Sequence, residues 1–179
     1  LVLGVGRATR LLTFITGVAK AYEATIRFGV ETDSLDADGQ VTATHDMSGM
    51  DPAAVRAAAA LLTGDLLQVP PMVSALKVDG RRLHELAREG VEVERAPRPV
   101  TVRRFEVTPT DDPLEWSAVV ECSSGTYVRS LAADLGRALG GGAHLSALRR
   151  TAVGPFELSE AHDLEHLQLL GMVEGVRHL

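Results

Sequence analysis

An arginine just beyond a run of hydroxyls, where a strand hands over to a helix, is placed to hold an anion. This 179-residue chain carries such a stretch in Cys122-Ser-Ser-Gly-Thr-Tyr-Val-Arg129. Ser123, Ser124 and Thr126 have oxygens that can accept from the free N–H groups of a helix start, and Gly125 permits a tight backbone path. Arg129 falls in the first turns, where a cation faces the positive end of the helix dipole at a cost of about 0.3–1 kcal/mol. Two readings follow. Arg129 is either a solvated surface arginine, or it meets a carboxylate or phosphate gathered at the helix start. Spacing alone does not choose between them.

Other chemistries find less support. The six histidines are scattered and none pairs at ligand spacing, so no metal site is expected. Gly4-Val-Gly6 lacks the rest of a phosphate-cradling loop. A Ser/His/Asp hydrolase stays open on residue types, but there is no nucleophile elbow. Ser34-Leu-Asp36-Ala-Asp38-Gly39 imitates the start of a calcium loop, yet its twelfth position is His45 where a bidentate Glu is required, so the run reads as a polar turn.

Apolar content of 45% and charged content of 23% describe an ordinary folded domain. Cys122 is the one cysteine, which excludes an internal disulfide and suggests a reducing compartment. No apolar run approaches a membrane span. The net charge of −6 argues against a nucleic-acid partner, but the charge is uneven. Residues 77–105 hold eight Lys/Arg against five Asp/Glu, and 129–150 hold four against one. Two basic patches on an acidic body are compatible with phosphate contacts, which act locally.

The elements that would position these residues can be read from periodicity. Trp116, Ala118, Val120 and Cys122 alternate with Ser117 and Glu121 as a strand, and Tyr127, Leu131, Leu135 and Leu139 form one helical stripe. Tyr22, Ala24, Ile26 and Phe28 predict another strand, with Gln40–Thr44 returning as the second arm of a hairpin. The opening Leu1–Gly6 reads as a strand and Arg7–Ile15 as a short helix with Leu11, Leu12 and Ile15 inward. Asp51-Pro52 caps a helix that Gly64 closes, burying Val55, Ala58, Ala59 and Leu62. Arg81–Glu89 predicts a helix, Val100–Val107 a strand, and Ala143–Phe156 an extended segment beyond a flexible Gly140-Gly141-Gly142. Asp163 is expected to cap a last helix with Leu164, Leu167 and Leu170 inward.

Six blocks then occur in order. They are Lys20-Ala-Tyr22; Gly29 with Thr32-Asp33-Ser-Leu-Asp36-Ala-Asp38-Gly39; Val69-Pro70-Pro71-Met72-Val-Ser74-Ala75-Leu-Lys77; Ala96-Pro97-Arg98-Pro99-Val; Cys122 to Arg129; and Gly142-Ala-His144-Leu-Ser-Ala-Leu148-Arg149-Arg150. The series, from Leu1 to about Leu167, resembles the bacterial TruB-type tRNA pseudouridine synthases. The resemblance implies an α+β fold on a mixed, mostly antiparallel sheet. It divides the chain into a partial catalytic domain over 1–168 and a tail over 169–179. It also implies an isomerase without cofactor or metal that flips a uridine out of the tRNA T loop and rejoins it to its sugar through carbon. The partner is the tRNA T arm, with no membrane and no obligate protein partner, in the cytoplasm.

By the same resemblance Tyr22 stacks on the flipped base and assists removal of its C5 proton. Arg129 pairs with the catalytic aspartate, and Leu148 lines the base pocket. Lys77, Arg149 and Arg150 are candidates for RNA backbone contacts. On pattern alone Tyr22 is a half-buried strand residue and Leu148 a core residue. The chain departs from the family in two respects: a Gly-Thr-Leu-Asp-Pro-type motif bearing the nucleophile is absent from these residues and would precede Leu1, and the family's C-terminal RNA-binding (PUA) domain, to which the tail over 169–179 would lead, is absent from them too. The expectation is therefore a piece of a longer protein, inactive alone, whose Arg129 points at an empty place with its charge unpaired. The alternative is a tRNA-binding or RNA-folding module that keeps the pocket without the nucleophile.

Overall fold

A computed structural model describes residues 2–78, 80–163, 165 and 168. Its central sheet has six strands: β1 (Lys20–Phe28), β4 (Gly64–Gln68), β7 (Arg98–Pro109), β8 (Glu115–Cys122), β9 (Ala143–Val153) and β10 (Phe156–Glu157). They lie in the order β10-β9-β1-β8-β7-β4 and every pairing is antiparallel. Two small hairpins stand beside it, β2 (Val30–Thr32) with β3 (Val41–Thr44), and β5 (Lys77–Val78) with β6 (Arg81–Arg82). The sheet is two-faced because its strands alternate. Ala24, Ile26 and Phe28 of β1, Phe105 and Val107 of β7, and Trp116, Ala118, Val120 and Cys122 of β8 are buried on one side. Two amphipathic helices cover that side. α2 (Pro52–Leu61) contributes Val55, Ala58 and Ala59, and α4 (Val128–Ala138) contributes Leu131 and Leu135. Phe28 and Trp116 meet edge to face at 6.2 Å within this core.

Several expectations are corrected. Residues 2–5 form no strand, and the next stretch is a 3-10 turn (Gly6–Leu11) followed by α1 (Leu12–Thr16), with no residue buried in either. Leu11 is 61% exposed, because this segment has no core face to lie on. The helix expected over Arg81–Glu89 is α3 (Leu83–Arg88), since Arg81 and Arg82 are drawn into pairing with Val78 and Lys77. The triple glycine, expected as a flexible break, is a turn in which Gly141 and Gly142 are buried against Met47 and Glu31 while Gly140 is exposed. Gly141 N–H bonds Gly136 C=O at 3.1 Å, and a Cβ on Gly136 would strike the backbone of Gly142 and Ala143. The last helix expected from Asp163 through Leu170 and the tail 169–179 fall largely outside the described residues. Asp51 does cap α2, its carboxylate accepting from Ala53 N–H at 3.0 Å.

Candidate active site

Arg129 is the second residue of α4, and its guanidinium turns back over the β2–β3 hairpin. Nη1 bonds Asp36 Oδ2 at 2.7 Å and Ser34 C=O at 3.0 Å, while Nη2 bonds Val73 C=O at 2.7 Å. The expected unpaired charge is thus corrected: Asp36 of the acidic turn neutralises it. The side chains are 22% and 30% exposed, so the pair is sheltered yet reachable.

The turn is built to present Asp36. Leu35 adopts a left-handed φ of 61°, and its C=O accepts from Leu145 N–H at 3.1 Å, next to an isolated parallel bridge between Asp36 and Leu145. Asp36 Oδ1 accepts from Ser34 Oγ at 2.5 Å and from Asp38 N–H at 3.2 Å, and Thr32 Oγ1 donates to Asp36 C=O at 2.7 Å. Gly39 must be glycine here, because a Cβ would land on Ser34 Oγ and Asp33 Oδ1. One carboxylate oxygen is thereby held by its own turn and the other by the helix. The hydroxyl run reaches elsewhere. None of its side chains caps α4; Ser123 Oγ accepts from Thr101 N–H at 2.9 Å and Ser124 Oγ donates to Thr16 C=O at 2.7 Å.

Arg129 and Leu148 line one open cleft of about 260 Å3 together with Asp36, Ala37, Asp38, Leu145, Ser146 and Ala147. Leu148 is 49% exposed, which corrects the pattern-only reading of it as core. In the sheet Leu148 lies opposite Ala24 and Arg150 opposite Tyr22, so all four share the helix-covered face. Burial raises the Tyr22 phenol pKa above its ordinary value, the Cys122 thiol adds to this, and the Arg150 charge opposes it. Burial and Arg150 also lower Lys20. Arg149 lies opposite Glu23 and turns to the other face, where both line a wide hollow of about 580 Å3. That hollow is the larger, but it is shallow, lacks Arg129, and sets an acid against its cation. Lys77 sits exposed in the β5–β6 hairpin, four residues beyond the Val73 carbonyl that receives Arg129. Asp36 escaped sequence reasoning because nothing in one dimension links it to Arg129.

The profile of the TruB family pseudouridylate synthase (N terminal domain) matches residues 1–128, and that of the tRNA pseudouridylate synthase B C-terminal domain matches 129–174. The chain belongs to the TruB family. The tRNA pseudouridine synthase B of Arthrobacter sp. (strain FB24) is 49% identical over 188 residues, covering 100% of this chain and 61% of that protein. That of Rhodococcus jostii (strain RHA1) is 55% identical over 171 residues, covering 93% and 56%. The chain therefore spans about three fifths of such TruB relatives. Among solved structures, "Crystal Structure of a Cbf5-Nop10-Gar1 Complex" matches with a TM-score of 0.64 and 27% identity over 89% of this chain and 38% of that one. The archaeal box H/ACA sRNP Nop10-Cbf5 complex, at 0.61 and 24%, shares the fold over 96% of this chain and 42% of that one. The two TruB profiles meet between Val128 and Arg129, inside α4, so both are served by one continuous helix.

Proposed function

We propose that the chain is the bulk of a catalytic unit, 1–168 with a tail over 169–179, that converts a uridine of the tRNA T loop to pseudouridine in the cytoplasm. The observation that carries this reading is near-half identity along the whole chain to relatives named tRNA pseudouridine synthase B. The cleft supports it. The isomerisation breaks the N1–C1′ bond, forms a C5–C1′ bond, and moves a proton from C5 to N1. Atoms and electrons balance, so the reaction calls for no cofactor. The reacting atoms are hidden in a folded loop, so the base must be extruded. Tyr22 stacks on it, for about 1–3 kcal/mol, and Leu148 forms the apolar wall. Arg129 holds the nucleophilic carboxylate of an upstream aspartate, and Asp36 fixes the guanidinium that does so. Arg150 and Lys77 contact backbone phosphate.

The test compares the 179-residue chain with one extended upstream to include a Gly-Thr-Leu-Asp-Pro-type motif, each incubated with unmodified tRNA and assayed for pseudouridine. The extended protein should turn over, and its Arg129→Lys variant should lose about 10²-fold or more, because an ammonium cannot reproduce a planar fork shared by two partners. The short chain should form none, since covalent catalysis needs a nucleophile within reach. Pseudouridine from the short chain would place the nucleophile within it. Binding without turnover by the extended protein would favour the RNA-binding module instead.

A further inference from the structure

Gln68 ends β4, and at 4% exposure it is one of the few buried polar residues. A buried amide is costly unless its bonds are made, and an apolar side chain would fill the same space more cheaply. Its bonds are made to one residue. Oε1 accepts from Tyr127 N–H at 2.7 Å, and Nε2 donates to Tyr127 C=O at 3.1 Å. The side chain thus pairs with Tyr127 as the peptide of a neighbouring strand would. Tyr127 is the N-cap of α4, and Arg129 follows two residues later. The chain beyond Gln68 is tied to the same helix turn: Ser130 Oγ donates to Val69 C=O at 3.4 Å and Arg129 Nη2 to Val73 C=O at 2.7 Å. We infer that Gln68 is a positioning residue whose amide fixes the start of α4, aims Arg129 into the cleft, and sets the backbone that receives it. The importance of that aim for activity rests on the proposed function; the aim itself does not.

The experiment follows Arg129 directly, by NMR of the isotope-labelled 179-residue protein at pH 8. Gln68→Met keeps the stem and removes both hydrogen bonds. Gln68→Glu keeps the acceptor and sets a carboxylate against the Tyr127 carbonyl. The charged group opposite position 68 in the β4–β7 register is Arg98. In both variants hydrogen exchange at the Arg129 guanidinium should quicken about five- to tenfold, the factor set by one ordinary hydrogen bond. The indole N–H of Trp116, bonded to Pro113 C=O at 3.3 Å and to no group of α4, serves as control and should not change. Unchanged Arg129 exchange in a folded variant, or equal quickening at Trp116, overturns the inference. If the Met variant does not fold, the Glu variant decides alone. In the upstream-extended protein the same variants should lower kcat by a similar factor at constant KM. Absence of turnover in the unsubstituted extended protein would count against the pseudouridine reading and leave the exchange result standing.

Discussion

At Tyr22 the ring and the hydroxyl answer to different surroundings. The ring packs against the core, while burial makes ionisation of the phenol costly and Arg150 recovers part of that cost. The net shift is upward, so the hydroxyl stays protonated through neutral pH. The sign for stability follows. The native state prefers the neutral phenol, so this contribution is whole below about pH 10 and is lost as pH climbs through the raised native value. Only Tyr22 and Tyr127 absorb as phenolate, so the 295 nm titration of the protein minus that of Tyr22→Phe isolates one group. Its midpoint should lie above pH 10; a midpoint below that would refute the balance of burial over Arg150. The face on which Tyr22 lies was legible from alternation. The charge beside it was not, because Arg150 reaches it only through strand pairing, and Asp36 meets Arg129 across 93 positions of sequence.

Elements with one apolar face were readable, since a single partner fixes their pattern. β1, β8, α2 and α4 are of this kind, and the Asp51-Pro52 cap gave the start of α2. Elements defined by their neighbours were not readable. Gly64-Asp-Leu-Leu-Gln68 has neither alternation nor β-branched residues, and it is a strand because β7 offers it an edge. The opening Leu1-Val-Leu-Gly-Val-Gly has strand-like residues, yet residues 2–5 join no described strand and Gly6 already begins the 3-10 turn. The turn between β2 and β3 was legible as a polar turn, but its service to Arg129 was invisible. That service predicts the effect of Gly39→Ala. The added Cβ meets Ser34 Oγ and Asp33 Oδ1, so the turn must open at a cost of about 1–3 kcal/mol. Urea unfolding should show the loss, and turnover in the extended protein should fall further than stability alone explains. An unchanged midpoint would mean the turn yields without effort.

For the whole molecule, counting charges overstates the basic patches. Arg81 is spent on Glu89, Arg104 on Glu106 and Glu121, and Arg137 on Asp134. Arg149 and Arg150, adjacent in sequence, are parted by the sheet. Binding of tRNA should therefore weaken with salt, and Arg150→Ala should reduce the slope of log K against log salt by about 1. Arg149→Ala and Arg104→Ala should leave it nearly unchanged. Equal loss from Arg149→Ala would put RNA on the opposite face. The sheet order has a further consequence, in time. β1 is made early and lies between two strands made late: Glu23 pairs with Val119 on one side and Arg149 on the other. At about 5–20 residues per second, the first partner is finished roughly 5–20 s after β1 leaves the ribosome's catalytic centre, and the second later still. For that interval a strand carrying Tyr22, Ile26 and Phe28 has both edges bare, so of the sheet's strands β1 waits longest for a partner during synthesis, a natural place for a chaperone to bind.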